Sequence, residues 1–392
     1  SVVVLDEVHL LNDPERGPTL EVLITRLRQV NPELQILALS ATVRNSDEIA
    51  EWLGAELVQS EWRPVPLKKG VFYRGVIKFD DGSRRKVRAD KVKELVALTL
   101  NTLEEGGQVL IFVNTRKSAQ SAAELLSAHS RHYAENLEEL EKLARRAEGA
   151  LVEPTRTCRL LASCIRKGAA FHHAGLHHEQ RRCVEEGFKR NLIKVICATP
   201  TLAAGVNLPA RRVIVRDYRR YVEPFGAVPI PVLEFHQFCG RAGRPQYDKY
   251  GEAVLIARSQ EEAEYLFEEF IRAPPERITS KLATEPALRS HVLASIAAEY
   301  VRDEDGLMEF MEQTFFAYQF GSSRVEQVVE RILDFLEREN LVRRENELLV
   351  ATQFGVKVSS LYIDPLSAVI IRNGLTTIGK ESPSTIGLLH LL

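Results

Sequence analysis

Apolar positions along the chain follow two periods, and their alternation predicts the architecture. Short β-branched runs at Val2–Leu5, Gln35–Leu39, Gln108–Val113, Lys194–Cys197, Arg212–Val215 and Glu252–Ile256 have the length and composition of buried strands. Between them, apolar residues recur three and four apart. Pro18–Val30 carries Leu20, Leu23, Ile24 and Leu27, and Ser46–Trp52 is closed by Gly54. Asp90–Glu105 ends at Gly106-Gly107, and Ser118–Ala128, Glu135–Ala147 and Gln180–Arg190 repeat the helical spacing. Leu67–Arg88 predicts a hairpin turning at Asp81-Gly82. Strands alternating with helices imply an α/β fold with a parallel sheet, ligands at its carboxyl edge and Glu252–Ile256 closing it.

The pattern changes at Pro274-Pro275, beyond which it turns helical: Glu285–Glu299, Gly306–Phe316 and Val325–Glu339, then a hairpin over Leu341–Thr352 turning near Glu345-Asn346. Three helices and a hairpin form the winged variant of the helix-turn-helix. Another helix begins after Asp364-Pro365, and the chain stops in an apolar run, Ile386–Leu392. With Arg63-Pro64-Val65-Pro66 as a linker, the expected units are residues 1–63, 64–273, 274–362 and 363–392.

Composition narrows the class. Hydrophobic content of 45%, charged content of 27% and a net charge of −2 describe a globular chain without a global basic field. Any nucleic-acid contact must therefore come from local patches. No apolar run approaches the ~18–20 residues of a membrane span. Cys158, Cys164, Cys183, Cys197 and Cys239 never form C-x-x-C and are expected as buried free thiols of a reducing compartment.

The candidate chemistry sits at strand ends. Asp6-Glu7-Val8-His9 follows the first strand directly. Two carboxylates there suit phosphoryl transfer: Asp6 to hold Mg²⁺ through water, Glu7 to activate the attacking water. Adjacent acids at a strand end are also common as solvated loops. Ser40-Ala41-Thr42 ends the next strand, and its hydroxyls are expected to accept a hydrogen bond from His9, coupling nucleotide chemistry to movement. Gln237-Phe238-Cys239-Gly240-Arg241-Ala242-Gly243-Arg244 presents two arginines three apart, expected from one helix start, whose guanidinium forks can neutralise a γ-phosphate. The carboxylates and arginines come from different α/β units, so the nucleotide is expected between them. Thr199–Pro209 reads as a strand end opening into a short helix, with Thr199 and backbone amides suited to a phosphodiester. His172, His173, His177 and His178 lack the carboxylate or thiol that would complete a metal set. The phosphate-cradling pattern G-x-x-x-x-G-K-[ST] does not occur in these 392 residues, which leads to the expectation that the chain is a fragment, inactive alone.

Taken in order, Asp6–His9, Ser40–Thr42, Phe112–Arg116, His172–Leu176, Thr199–Asn207 and Gln237–Arg244 resemble motifs II through VI of Ski2-like superfamily 2 helicases. Within them the likeness is to the archaeal DNA helicases related to human HelQ and the helicase part of DNA polymerase theta. The resemblance implies the back of RecA-like domain 1 in residues 1–63, RecA-like domain 2 in 64–273, a winged helix in 274–362 and the start of a helical ratchet domain in 363–392. It implies catalytic roles for Asp6, Glu7, His9, Gln237, Arg241 and Arg244, and ATP contacts from Asp6, Gly205, Asn207, Arg241 and Arg244. Mg²⁺ would be held at Asp6 and Glu7, and Ser40 and Thr42 would couple the sites. Nucleic acid would be bound by Thr115, Arg116, His173, Thr199, Thr201, Arg219, Arg220, Tyr221 and Phe225. The last four lie in Arg216–Pro231, the interval that in this family holds a strand-separating hairpin. The implied activity is 3′-to-5′ unwinding of forked or branched DNA in repair or fork restart by a monomeric protein. Implied partners are single-stranded and forked DNA, single-strand-binding or fork proteins, and no membrane. The implied location is the cytoplasm, or the nucleus in a eukaryote. An RNA helicase of the same class and a non-catalytic nucleic-acid-binding module stand as alternatives.

Overall fold

The computed structural model describes residues 1–60, 62–88, 92–202 and 206–378. They form two compact units, one made of residues 1–58 and 277–392, the other of the continuous stretch 59–276.

The first unit begins with β1 (Val2–Leu5), a 3₁₀ turn over Val8–Asn12, α1 (Gly17–Val30), β2 (Gln35–Ala38) and α2 (Ser46–Leu53). The strands pair in parallel, Val2 beside Gln35 through Leu5 beside Ala38. Burial of β1 was expected, yet Val2 is 63% and Val4 57% exposed. Among the described residues β1 pairs only with β2.

The second unit carries an eight-stranded sheet among the described residues. Its elements in chain order are β3 (Leu67–Tyr73), β4 (Val76–Phe79), β5 (Arg84–Lys86), α3 (Glu94–Glu104), β6 (Val109–Phe112), α4 (Arg116–Ser130), α5 (Leu137–Glu148), α6 (Arg156–Ile165), β7 (Ala169–His172), α7 (His178–Lys189), β8 (Val195–Ala198) and β9 (Arg212–Val215). Then come β10 (Arg219–Val222), β11 (Gly226–Pro229), α8 (Val232–Cys239), β12 (Gly251–Ile256), α9 (Gln260–Leu266) and a π-helical turn over Phe267–Arg272. The spatial order is β5-β4-β3-β12-β9-β6-β8-β7, with β3, β12, β9, β6, β8 and β7 parallel. The central strands are buried along their whole length, as a sheet covered on both faces requires. β12 does not close the sheet but sits inside it, between β3 and β9. The expected single hairpin over Leu67–Arg88 is a three-stranded meander. Its additional turn, Arg74-Gly75, has positive φ at both residues (44° and 76°), the geometry of a two-residue hairpin turn. Arginine there gave no turn signal. Helix α6 was also unforeseen.

The first unit resumes with α10 (Glu285–Ala297), α11 (Glu304–Glu312), α12 (Phe315–Phe320), α13 (Ser322–Arg338), β13 (Val342–Glu345), β14 (Leu348–Ala351), α14 (Gln353–Ser360) and α15 (Pro365–Ile378). The helix expected over Gly306–Phe316 is two helices. Asp303 caps the first through the Gly306 amide at 2.8 Å, and Thr314 caps the second through the Ala317 amide at 3.2 Å. A core of Leu288, Val292, Leu307, Phe310, Val329, Ile332, Leu336 and Val342 joins these helices to the hairpin. Among the described residues no single helix is long and apolar enough to cross a membrane. The apolar run Ile386–Leu392 lies outside the described residues.

Candidate functional site

The carboxylate pair sits on a sharp reversal. Glu7 has φ 56°, ψ 44°, a left-handed conformation that costs free energy in a residue with a side chain. The turn is pinned on both sides: the Glu7 amide donates to Asp6 Oδ1 at 2.9 Å, and the Val8 amide to the Leu39 carbonyl at 2.9 Å. Both acids stay exposed while Val8 and His9 turn inward. Burial holds the His9 imidazole below its ordinary pKa against the opposing pull of Glu7 and Asp6. A neutral ring fits the contact in which the Ala41 amide donates to His9 Nδ1 at 3.3 Å, the same nitrogen lying 3.4 Å from Glu7 Oε2. This contact links His9 to the backbone of Ser40–Thr42. The Ser40 hydroxyl donates to the Ala41 carbonyl at 2.7 Å, and Thr42 is exposed.

In the second unit the predicted residues divide between the two edges of the sheet. Thr115, Arg116, His173, Thr199 and Thr201 follow the carboxyl ends of β6, β7 and β8. Thr115 caps α4 by accepting from the Ser118 amide at 3.0 Å. Arg116 is exposed and lies against the backbone of Gly175, where an added Cβ would meet its guanidinium nitrogen at 3.0 Å. The hydroxyls of Thr199 and Thr201 are 3.0 Å apart, Thr201 exposed and Thr199 buried. His173 is corrected from ligand to scaffold: it is 2% exposed, with its Nε2 3.2 Å from Gln120 and its ring stacked on Phe171. Burial first, then Arg116, pushes it down to about 4, so it is neutral near pH 7. Two of the other histidines are also built in, whereas His178 is exposed. His172 contacts Glu185 at 3.1 Å, and His177 caps α7.

The arginine pair occupies the opposite edge. It follows the carboxyl end of α8 rather than a helix start, because Gly240 ends that helix. The loop then crosses the amino ends of β9 and β12. Ala210 donates to the Arg241 carbonyl at 2.8 Å, and Gly243 donates to Ala210 at 2.7 Å. A Cβ on Gly251 would sit 2.4 Å from the Ala242 carbonyl carbon, so only glycine lets the loop lie this close. The expectation that all ligand groups gather at the carboxyl edge fails here, since this loop is anchored to strand entrances. Arg241 reaches Asn207 Oδ1 at 3.5 Å. Arg244 is clamped: Nε and Nη2 donate to Asp248 at 3.0 and 2.9 Å, and Nη1 to Gln108 Oε1 at 3.0 Å. Gln237, on the last turn of α8, is half-buried. Gly205 lies outside the described residues. Gln108 and Asp248 escaped sequence reasoning, because a Gln entering a strand and an Asp in a polar loop carry no local signature.

Arg219, Arg220, Tyr221 and Phe225 form the expected hairpin. β10 and β11 pair antiparallel, Arg219 beside Pro229 and Tyr221 beside Ala227. Tyr221 is 74% and Phe225 78% exposed. The base is fixed by Tyr218, buried, with its hydroxyl donating to Glu262 at 2.7 Å. Arg220 pairs with Glu234 at 2.9 Å, whereas Arg219 lies 5.3 Å from the Tyr218 ring.

An acid-bearing strand end, a second parallel sheet with an arginine loop and a helix-turn-helix follow one another in the order found in superfamily 2 helicases, and three family models match these parts of the chain. Residues 1–49 match the DEAD/DEAH box helicase family, 150–246 the helicase conserved C-terminal domain and 251–343 a helix-turn-helix domain. Across 100% of its length the chain is 52% identical to a protein of Methanocella arvoryzae named ATP-dependent DNA helicase Hel308, covering 53% of that protein. The same name belongs to relatives in Pyrobaculum calidifontis (44% identity, 93% of the chain, 52% of the relative) and Pyrococcus horikoshii (41%, 100% and 53%). The chain is thus similar along its whole length to proteins of the Hel308 family and spans about half the length of the curated relatives it matches.

Proposed function

We propose that the chain supplies the water-activating acids, the arginine loop and the strand-separating hairpin of an ATP-dependent 3′-to-5′ DNA helicase acting on forked or branched DNA. Glu7 takes the proton of the attacking water. Arg241 offers its charge to the γ-phosphate, and Arg244 adds the donors that its clamp leaves over. Asn207 orients Arg241. The exposed Asp6 carboxylate, its second oxygen not used by the Glu7 amide, fits a hydrated Mg²⁺. When bound, that ion neutralises phosphate charge. Arg116 and the amides and hydroxyls of Thr115, Thr199 and Thr201 hold the DNA backbone. Tyr221 and Phe225 stack against the end base pair. The protein acts as a monomer in the archaeal cytoplasm, beside single-strand-binding and fork proteins.

The observation that carries this reading is where the described residues on either side of 203–205 lie. Thr199 and Thr201, their hydroxyls 3.0 Å apart, follow the carboxyl end of β8, whereas Asn207 and Ala210 are hydrogen-bonded to the arginine loop. Residues close in sequence thus serve both proposed ligands. In the complete protein, Glu7→Gln should abolish ATP turnover and spare ATP binding. Hydrolysis near the wild-type rate would remove Glu7 from its role. Matched DNA and RNA forks in a strand-displacement assay should show DNA preferred.

A further inference from the structure

We propose that Gln108 is a positioning residue for ATP turnover, fastening the Arg244 guanidinium to the end of the helix that borders the DNA-facing edge. This rests on the reading of the arginine loop given above. Gln108 is 3% exposed and uses both ends of its amide. Its Nε2 donates to the carbonyls of Phe188 and Ile193, each at 2.8 Å, and its Oε1 accepts from Arg244 at 3.0 Å. The amide orientation follows from these partners, because two carbonyls require the NH₂ and a guanidinium requires the oxygen.

Phe188 lies on the last turn of α7, whose first turn is capped by His177, two residues after Gly175, the residue packed on Arg116. Twelve helical residues span roughly 18 Å, so α7 runs as one rigid element from the Arg116 site to Gln108. At the far end, Asp248 holds Arg244 by two further bonds and accepts its backbone amide at 2.8 Å. Three of the five guanidinium donors are committed to these two partners. The plane is thereby fixed, and the remaining donors are aimed at an anion without the entropy of a free arginine. Phosphate-backbone contacts at the start of α7 bear on the same element that sets this plane. Gln108 acts through Arg244 and touches no substrate.

The test compares Gln108→Leu and Gln108→Glu in the complete protein. Both lose the donors to Phe188 and Ile193, and Glu adds an acceptor facing those two carbonyls, so its structural cost is at least as large. Only Glu keeps an acceptor for Arg244. DNA-stimulated kcat should fall about 10-fold in Gln108→Leu with KM for ATP within about two-fold. Gln108→Glu should recover kcat to within about three-fold of wild type while melting no higher than Gln108→Leu. Equal kcat losses that follow the melting temperature would reduce Gln108 to a packing residue and overturn the proposal, as would undiminished turnover in Gln108→Leu. Arg241→Ala and Glu7→Gln run alongside separate the two levels. If these retain turnover, the reading of the site fails; if they lose it and Gln108→Leu does not, only the role of Gln108 falls.

Discussion

Glu21 is the residue whose environment conflicts most with its charge. It is fully buried on α1, accepts from the Ser280 hydroxyl at 2.6 Å and from the Phe316 amide at 2.7 Å, and burial pushes its carboxyl up to about 7. The raised value fixes the sign of the linkage. The protonated acid stabilises the fold fully below the ordinary value near 4.5, and that contribution is lost as pH rises through about 7. Gln mimics the protonated acid without ionising: its oxygen can still accept from the Phe316 amide, and its NH₂ can donate to the Ser280 oxygen. Glu21→Gln should therefore match wild type near pH 5 and gain about 2–3 kcal/mol by pH 8. Melting curves at the two pH values measure this, and a Gln variant less stable at pH 8 would show that the ionised carboxylate is the favoured form. His173 has the opposite sign. With its pKa depressed to about 4, the neutral ring's contribution is complete above about 6.5 and is lost as pH falls towards 4.

Among the elements, the β10–β11 hairpin makes the most specific commitment. An isolated two-stranded hairpin is marginal in water, and this one is held at its base by Tyr218, whose ring meets Phe270 at 5.9 Å and Tyr265 at 6.3 Å. The exposed tip aromatics are thus carried on a fixed stalk. Base stacking on an aromatic ring contributes roughly 1–3 kcal/mol. Tyr221→Ala combined with Phe225→Ala in the complete protein should slow strand separation by about 10-fold while DNA-stimulated ATPase stays within about two-fold. Parallel loss of both activities would assign these rings to DNA binding instead. The hairpin was legible because aromatic and basic residues flank Gly226 in an interval bounded by two recognisable motifs. The strand cores were legible for a simpler reason: parallel strands buried on both faces must be continuously apolar. What escaped were features set by distant chain. Gln108 becomes a clamp only when residues 188 and 244 arrive beside it. His173 looked like a ligand until Phe171 and Gln120 enclosed it. The arginine pair was expected at a helix start and follows a helix end, because spacing cannot tell the two apart.

At the scale of the whole molecule, the two units differ in how the chain builds them. The second is one continuous stretch with its own core around the parallel sheet, whereas the first is assembled from two segments more than two hundred residues apart. The short segment completes the backbone of the long one. Asn45 donates to the Ile278 carbonyl at 3.0 Å and accepts its amide at 2.7 Å; Asn12 accepts from the Thr279 amide at 3.2 Å. Trp52 donates to the Gln313 carbonyl at 3.0 Å and packs its ring 5.1 Å from Phe315, and Glu21 takes the Phe316 amide. These partners cluster where α11 ends and α12 begins. A buried backbone group stripped of its partner costs about 1–3 kcal/mol. Residues 59–276 expressed alone should then unfold cooperatively, since their core needs nothing from outside. Residues 277–392 alone should leave α12 poorly protected, its amides exchanging with solvent at least about 100-fold faster than in the intact chain. Restoring residues 1–58 as a separate polypeptide should slow that exchange again. Protection of α12 that is indifferent to residues 1–58 would mean that the helix-turn-helix region is self-sufficient and the side-chain bonds from α1 and α2 are incidental. If protection does depend on them, the strand carrying Asp6 and Glu7 is fastened through α1 to the helix-turn-helix. Any load on that domain is then felt at the turn where Glu7 is held in its left-handed conformation.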